Sequence, residues 1–293
     1  MKFNGLLVDN INEANIFICG IPFDSNSHLS SGSKDFPYVL RSLSENVYPI
    51  TMSFSKISNI KMYDLGDFKG DDYNKLTSEL QYNLLERNGL HIILGGDQSI
   101  SIPSERAFYC KCLKENKTPV LIHFSAFSGL SETFNNNINN ERCALNRAID
   151  YGFQKGNINV IGVRELTNNE LDNMVNFKEV NLYKVNDIYQ LGLLNFINYL
   201  INKYNKNKYS VYISLDASVF DPSYVSAVSK PLPFGLSSYE VNEILCSLVS
   251  KLNVDVIDFV GVIPSKDENC KSMYLILKIL YELLNKYSNK NNE

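Results

Sequence analysis

His28, His91 and His123 are the only three histidines in the 293 residues. Metal binding and proton transfer near neutral pH rely heavily on imidazole, so a multi-histidine site would need nearly every one of them. His28 and His91 have no metal-ligand neighbour at useful spacing, and loop or surface placement is their expected role. His123 lies inside an apolar run and reads as a buried, hydrogen-bonded side chain. Among the acids, Asp97 in GGDQS has the setting of a side chain that braces a loop by accepting backbone N–H groups. Asp216 opens DASVFDP, where a buried carboxylate among neutral groups needs either donor partners or a raised pKa. Cys143 falls close to Glu141, but with no activating base at hand its thiol stays protonated.

Six short apolar runs carry these segments: 16–19, 92–94, 120–124, 159–163, 211–215 and 256–260. Between them, apolar residues recur at spacings of three and four over 35–44, 72–87, 103–114, 140–152, 185–204, 238–252 and 272–287. Continuous apolar strands alternating with helices predict a three-layer α/β/α fold with a mainly parallel sheet, covered on both faces. No linker or composition shift divides the chain, which predicts one domain over 1–293. In such sheets, functional groups gather just past the carboxyl ends of the strands. The segments beginning at Ile21, Gly95, Ser125, Arg164, Asp216 and Gly261 all follow a predicted strand.

A net charge of −4 with interspersed signs argues against a nucleic-acid partner, which would require a basic footprint. The six cysteines lack any CxxC pair, so neither a disulfide framework nor a zinc site is expected. The first residues hold too short an apolar stretch for a signal peptide, and no run reaches the roughly 18 apolar residues of a membrane span. A cytoplasmic protein without a membrane partner is expected. The asparagine cluster at 135–140 reads as a surface loop.

Taken in order and spacing, the motifs resemble the ureohydrolase family of arginases, agmatinases and formiminoglutamases over nearly the whole chain. GIPFDSNSHLSSGSKDFPYVLRSL (20–43) is similar to that family's first loop and helix, and YDLGD (63–67) to its D-x-G-D turn. ILGGDQSISIP (93–103) resembles L-G-G-D-H-S-I-x-x-P, and LIHFSAFSGL (121–130) resembles V-x-H-F-D-A-H-x-D. SLDASVFDPSYVSAVSKPLPFGLS (214–237) is similar to the segment that carries the family's D-x-D pair. The resemblance implies an arginase-like single α/β domain, two manganese ions, hydrolysis of linear guanidino or formimino compounds, and assembly as trimers or hexamers.

The positions that hold metal in that family are altered here. Gln98 stands at the first histidine, Ser125, Phe127 and Gly129 replace the Asp, His and Asp of the second cluster, and Ser218 replaces one member of the D-x-D pair. Asp216 alone remains. Four carboxylates without their ions would bury a charge of about −4, which is prohibitive, whereas one carboxylate keeps the pocket near neutrality. Phe127 is expected to fill the vacated volume. On the substrate side, Glu141 takes the place of a histidine, and Leu232 and Gly261 take the places of glutamates, while Gly95, Gly96, Asp97, Asp221, Pro222, Gly235, Leu236 and Ser237 match the family. The expectation is a homologue without catalytic residues, metal or cofactor. Asp97, Gln98, Ser125, Phe127, Glu141, Asp216 and Ser218 would line a vestigial pocket for a small cationic ligand. The chain would act through binding, regulation, self-association or partnership with an active relative. The alternative is a residual or altered agmatinase-like or arginase-like hydrolase.

Overall fold

The computed structural model describes residues 2–57, 59–204 and 207–290. Eight strands form one sheet: β1 (Ile16–Gly20), β2 (Met62–Asp67), β3 (Leu90–Leu94), β4 (Thr118–Phe124), β5 (Ile158–Val163), β6 (Asn181–Lys184), β7 (Tyr209–Asp216) and β8 (Val254–Val260). Their order is β2-β1-β3-β8-β7-β4-β5-β6, and every pairing is parallel. The α/β fold expected from the sequence is therefore present. Alternate strand residues face opposite layers, as strand geometry requires. Ile16, Ile18, Ile92 and Leu94 join one core, and Cys19 and Ile93 join the other. Helices α2 (Tyr73–Glu86), α3 (Ser101–Lys114) and α4 (Ala144–Tyr151) cover the second core. The first core is covered by α1 (Phe36–Leu43), α7 (Leu193–Lys203), α8 (Ser238–Lys251) and α9 (Lys271–Lys290). None of the described helices is long and apolar enough to cross a membrane.

Several local expectations need correction. The segment 63–67, read as a turn, is most of strand β2, and β6 escaped notice because only four residues form it. The pattern over 185–204 is two helices, α6 (Val185–Leu191) and α7, separated by Gly192 at φ +84°, which a side chain would resist. The short helix α5 (Asn168–Asp172) was also unforeseen; Thr167 and Glu170 close it with a capping box. His91 is a buried strand residue stacked on Phe17, not a surface group.

The first site loop leads into α1, which is fastened to β2 by a buried arginine. Arg41 Nε and Nη2 donate to the two oxygens of Asp64 at 2.8 and 2.9 Å, and Nη1 donates to Asp67 at 2.6 Å. The planar guanidinium matches a carboxylate through two parallel bonds, and Lys could not reproduce this geometry.

Below the central strands lies a second polar group of side chains. His123 Nε2 meets Glu105 Oε1 at 2.6 Å, and its Nδ1 meets the Gln98 amide nitrogen at 3.1 Å. Tyr212 and Ser101 donate to Asp258 at 2.6 and 2.7 Å. Burial raises Glu105 well above the usual carboxylate range, raises Asp258 to about 6, and lowers His123 to about 4. Both shifts disfavour the charged forms of Glu105 and His123, because burial withholds the water that would stabilise two charges.

Two measurements test these readings. Arg41→Ala should lower unfolding stability by about 3 kcal/mol in urea melts, with Arg41→Lys recovering only part; a loss below about 1 kcal/mol would refute the clamp. An acid whose folded pKa is raised loses stability as pH climbs above its unfolded value toward its folded one. Glu105→Gln removes that loss, so its melting temperature relative to the parent should rise from pH 5 to pH 8. A pH-independent difference would show that Glu105 does not resist ionisation.

Candidate functional site

The sheet order places β3, β8, β7 and β4 side by side; past their carboxyl ends Gln98, Gly261 and Asp216 line one shared space, and Ser125 is joined to it through Asp216. The chain reverses there through short turns that the side chains themselves cap. Asp216 closes β7 and caps the turn Ala217–Val219, accepting the Ser218 backbone N–H at 3.0 Å on Oδ1. Its other oxygen accepts the Ser125 hydroxyl at 2.9 Å and also the Ser218 hydroxyl. Those hydroxyls in turn accept the backbone N–H groups of Phe127 and Ala126, each at 3.1 Å. Burial raises the Asp216 pKa, and the serine bonds partly oppose that rise. The unit is internally satisfied: the carboxylate has three donors, and both hydroxyls donate to it while accepting from the backbone.

The other expected pocket residues divide. Gln98 lines the space, yet its amide turns toward His123 instead of Asp216. Asp97 stands apart, accepting backbone N–H groups from Ser99 at 2.8 Å and Asn26 at 3.1 Å, which fastens the first loop to the turn after β3. Burial and the nearby charge of Glu141 raise Asp97 to about 7. Glu141 lines the space and accepts the His28 backbone N–H at 2.8 Å and His28 Nδ1 at 2.6 Å. Phe127 also lines it and is 7 % exposed. Cys143 is buried and its thiol is pushed up to about 11 by burial, consistent with a protonated, unreactive group.

Arg142 is the side chain that sequence reasoning missed. It follows Glu141 in the turn Glu141–Cys143, and only 4 % of it is exposed. Its guanidinium carbon lies 3.4 Å from the centroid of the Phe127 ring, with Phe134 at 5.9 Å. Nη2 reaches His28 Nε2 at 3.1 Å and Glu165 at 3.5 Å, while Nε is buried without a partner. The contacts fit an imidazole whose proton is on Nδ1, facing Glu141, leaving Nε2 to accept. Burial lowers the Arg142 pKa, and Glu165, Glu141, Glu170 and Asp216 act against that fall. Lys230 Nζ lies 2.6 Å from each oxygen of Glu165, extending the chain of charges. His28, expected in a loop or at the surface, does lie in the first loop, but its side chain is turned inward as a link between Glu141 and Arg142. No spacing rule marked these residues, because their loops converge only in the fold.

The asparagine cluster also has a structural task. Asn137 and Asn140 donate to the side chain and backbone oxygens of Asn26 at 2.9 and 3.0 Å, tying the 130–140 loop to the first loop. Behind this tie, Gln98, Phe127, Glu141, Arg142, Asp216, Ser218 and Gly261 border an enclosed space of about 20 Å³. That is room for about one water molecule. Gly261 has φ +83°, and a Cβ there would fall 2.5 Å from Asp216 Oδ1. Among the described residues, no group of three or more His, Cys, Asp or Glu side chains is arranged to hold a metal ion.

A sequence profile of the Arginase family matches residues 14–285. The chain is 27 % identical over 272 residues to an uncharacterized 32.2 kDa protein of Methanothermus fervidus, with 91 % of this chain and 90 % of that one covered. It is 29 % identical over 262 residues to an agmatinase of Blochmanniella floridana, covering 85 % and 80 % respectively. The crystal structure of agmatine ureohydrolase of Thermoplasma volcanium aligns with a TM-score of 0.86 at 26 % identity, covering 100 % of this chain and 96 % of that one. From its first strand to its last helix, therefore, the chain belongs to the arginase family.

Proposed function

We propose that this protein has relinquished the two-manganese centre and the hydrolysis of guanidino compounds, and serves as a binding or regulatory member of its family. The observation that carries this reading is that Arg142 and Asp216 line the same small space. A guanidinium already supplies positive charge there, and both Asp216 oxygens accept hydrogen bonds from the protein. Two divalent ions need several anionic oxygen ligands to offset their mutual repulsion. Asp216, whose oxygens are taken by protein donors, Glu141, which accepts from His28, a phenyl ring and a resident cation do not fit them.

In this reading the protein is cytoplasmic and works as a trimer or hexamer or beside an active relative. Exposed aromatics support an interaction role: Tyr189, Tyr224 and Phe234 border an open hollow of about 310 Å³ near α6 and α8. The competing reading is an altered hydrolase of linear guanidino or formimino compounds. Its support is the similarity to relatives named agmatinase.

Metal analysis separates the two. After incubation with manganese and dialysis, the protein should retain well under one ion per chain. Its melting temperature should move by less than about 1 °C with ~1 mM manganese, and neither agmatine nor arginine should yield urea. Nearly two ions per chain, or urea release that a chelator abolishes, would overturn the proposal. Restoring Gln98→His, Ser125→Asp, Phe127→His, Gly129→Asp and Ser218→Asp together should recover manganese binding only when Arg142→Ala is added. Equal binding with Arg142 intact would show that this side chain does not obstruct the space.

A further inference from the structure

We infer that the open hollow between α6 and the loop leading into α8 is a binding site for a small quaternary ammonium compound, a cation with alkyl groups in place of N–H donors. It rests on the binding role proposed above and gives that role a place and a ligand chemistry. The hollow shares no lining residue with the enclosed space beside Asp216.

Three rings and a carboxylate set the chemistry. Tyr189, Tyr224 and Phe234 border the hollow together with Asp221, and among the described residues no basic side chain lines it. Its volume of about 310 Å³ suits a small molecule. Phe234 stands out among the three. It has φ +63°, a left-handed conformation that a bulky side chain adopts only at a cost, and 82 % of it is exposed, so its own burial offsets little of that cost. The surrounding loop holds it there. Arg164 donates to the carbonyl oxygens of Leu232 and Pro233 at 3.0 and 3.1 Å, and Asp221 Oδ2 accepts the Gly235 N–H at 3.2 Å. A Cβ at Gly235 would fall 2.4 Å from the Asp221 nitrogen, so the two segments lie in close contact. An aromatic ring fixed at the surface in a costly conformation is preorganised to touch something else.

Hydrogen bonding selects among cations. Asp221 Oδ1 accepts the Ser223 backbone N–H and hydroxyl at 3.0 and 2.7 Å, in addition to the Gly235 bond on Oδ2. The bonds from Ser223 hold its carboxyl below the usual carboxylate range, so it is charged at neutral pH. Glu240 Oε2 accepts the Ser237 N–H and hydroxyl, each at 2.8 Å, and the Tyr189 hydroxyl at 3.4 Å. Each acid thus supplies negative charge while already accepting three protein donors. Asp187 and Glu240 also stand in the first turns of α6 and α8, where they offset the positive helix ends beside the hollow. A primary ammonium needs fresh acceptors and holds its water strongly. A quaternary ammonium has no N–H to satisfy, and gains from the rings and the nearby charge.

Titration calorimetry of the full-length protein with choline chloride provides the test. Choline should bind saturably with a Kd of about 1 mM or tighter. Ethanolamine, and the uncharged alcohol in which carbon replaces the choline nitrogen, should each bind at least about tenfold more weakly. Phe234→Gly removes the ring and relieves the left-handed backbone. It should therefore melt no lower than the parent, while its affinity for choline falls at least about fivefold. No saturable choline binding, equal binding of ethanolamine or of the alcohol, or unchanged affinity in Phe234→Gly would each overturn the inference. So would a clear drop in the melting temperature of that variant, which would give the ring a structural task instead. A trimethyllysine peptide binding at least about tenfold more tightly than choline would assign the site to a modified protein chain and overturn the small-molecule assignment. Manganese retained by a choline-binding parent would remove the metal-free reading alone. No manganese together with no choline binding would remove only this site.

Discussion

The architecture at the strand ends depends on neutralising one buried carboxylate. Asp216 sits where four central strands finish, with its backbone in the sheet and its side chain in an enclosed space. A desolvated carboxylate must be protonated, heavily hydrogen-bonded or placed near positive charge. Two serine hydroxyls and a backbone N–H answer the second requirement, and Arg142 lies close enough to answer the third. Ser125 and Ser218 therefore have a structural task of their own. They orient the carboxylate and, through Ala126 and Phe127, fix the loop that follows β4.

The charge chain extends outward in alternating sign, from Arg142 to Glu165 to Lys230, and through His28 to Glu141. This links four loops whose residues are distant in sequence, and the asparagine tie adds a further contact between two of them. Polar and charged contacts of this kind are strong only while water is excluded. The apolar ring of Phe127 and the narrowness of the space provide that exclusion. Packing and electrostatics therefore support each other here: removing the ring would hydrate the guanidinium, and removing the guanidinium would leave the ring beside unbalanced acids.

Much of the fold was legible because its physics is local. Six strands announced themselves as continuous apolar runs, since a parallel sheet covered on both faces buries every position. The two edge strands did not. β2 mixes Met62 and Leu65 with Asp64 and Asp67, whose carboxylates serve Arg41, and β6 is short and only partly buried. At the site, the motif order pointed to Asp216, Ser218, Gln98, Phe127 and Glu141, which line one space, whereas Ser125 and Asp97 lie outside its lining. The same reasoning could not foresee Arg142, because its partners come from the first loop, the loop after β4 and the loop after β5. Nor could it tell that Gln98 would face His123, a choice set by the buried Glu105 beyond it.

Gly261 sets the room in which the carboxylate stands. Asp216 uses the volume that any side chain at 261 would need, beginning with its first carbon. A side chain at 261 therefore requires the Asp216 carboxylate to shift, and that shift disturbs the two serines and the backbone turn hung upon it. The glycine thus acts as a latch between neighbouring strands: the absence of a side chain at 261 leaves Asp216 the room in which the two serines and its own turn hold it.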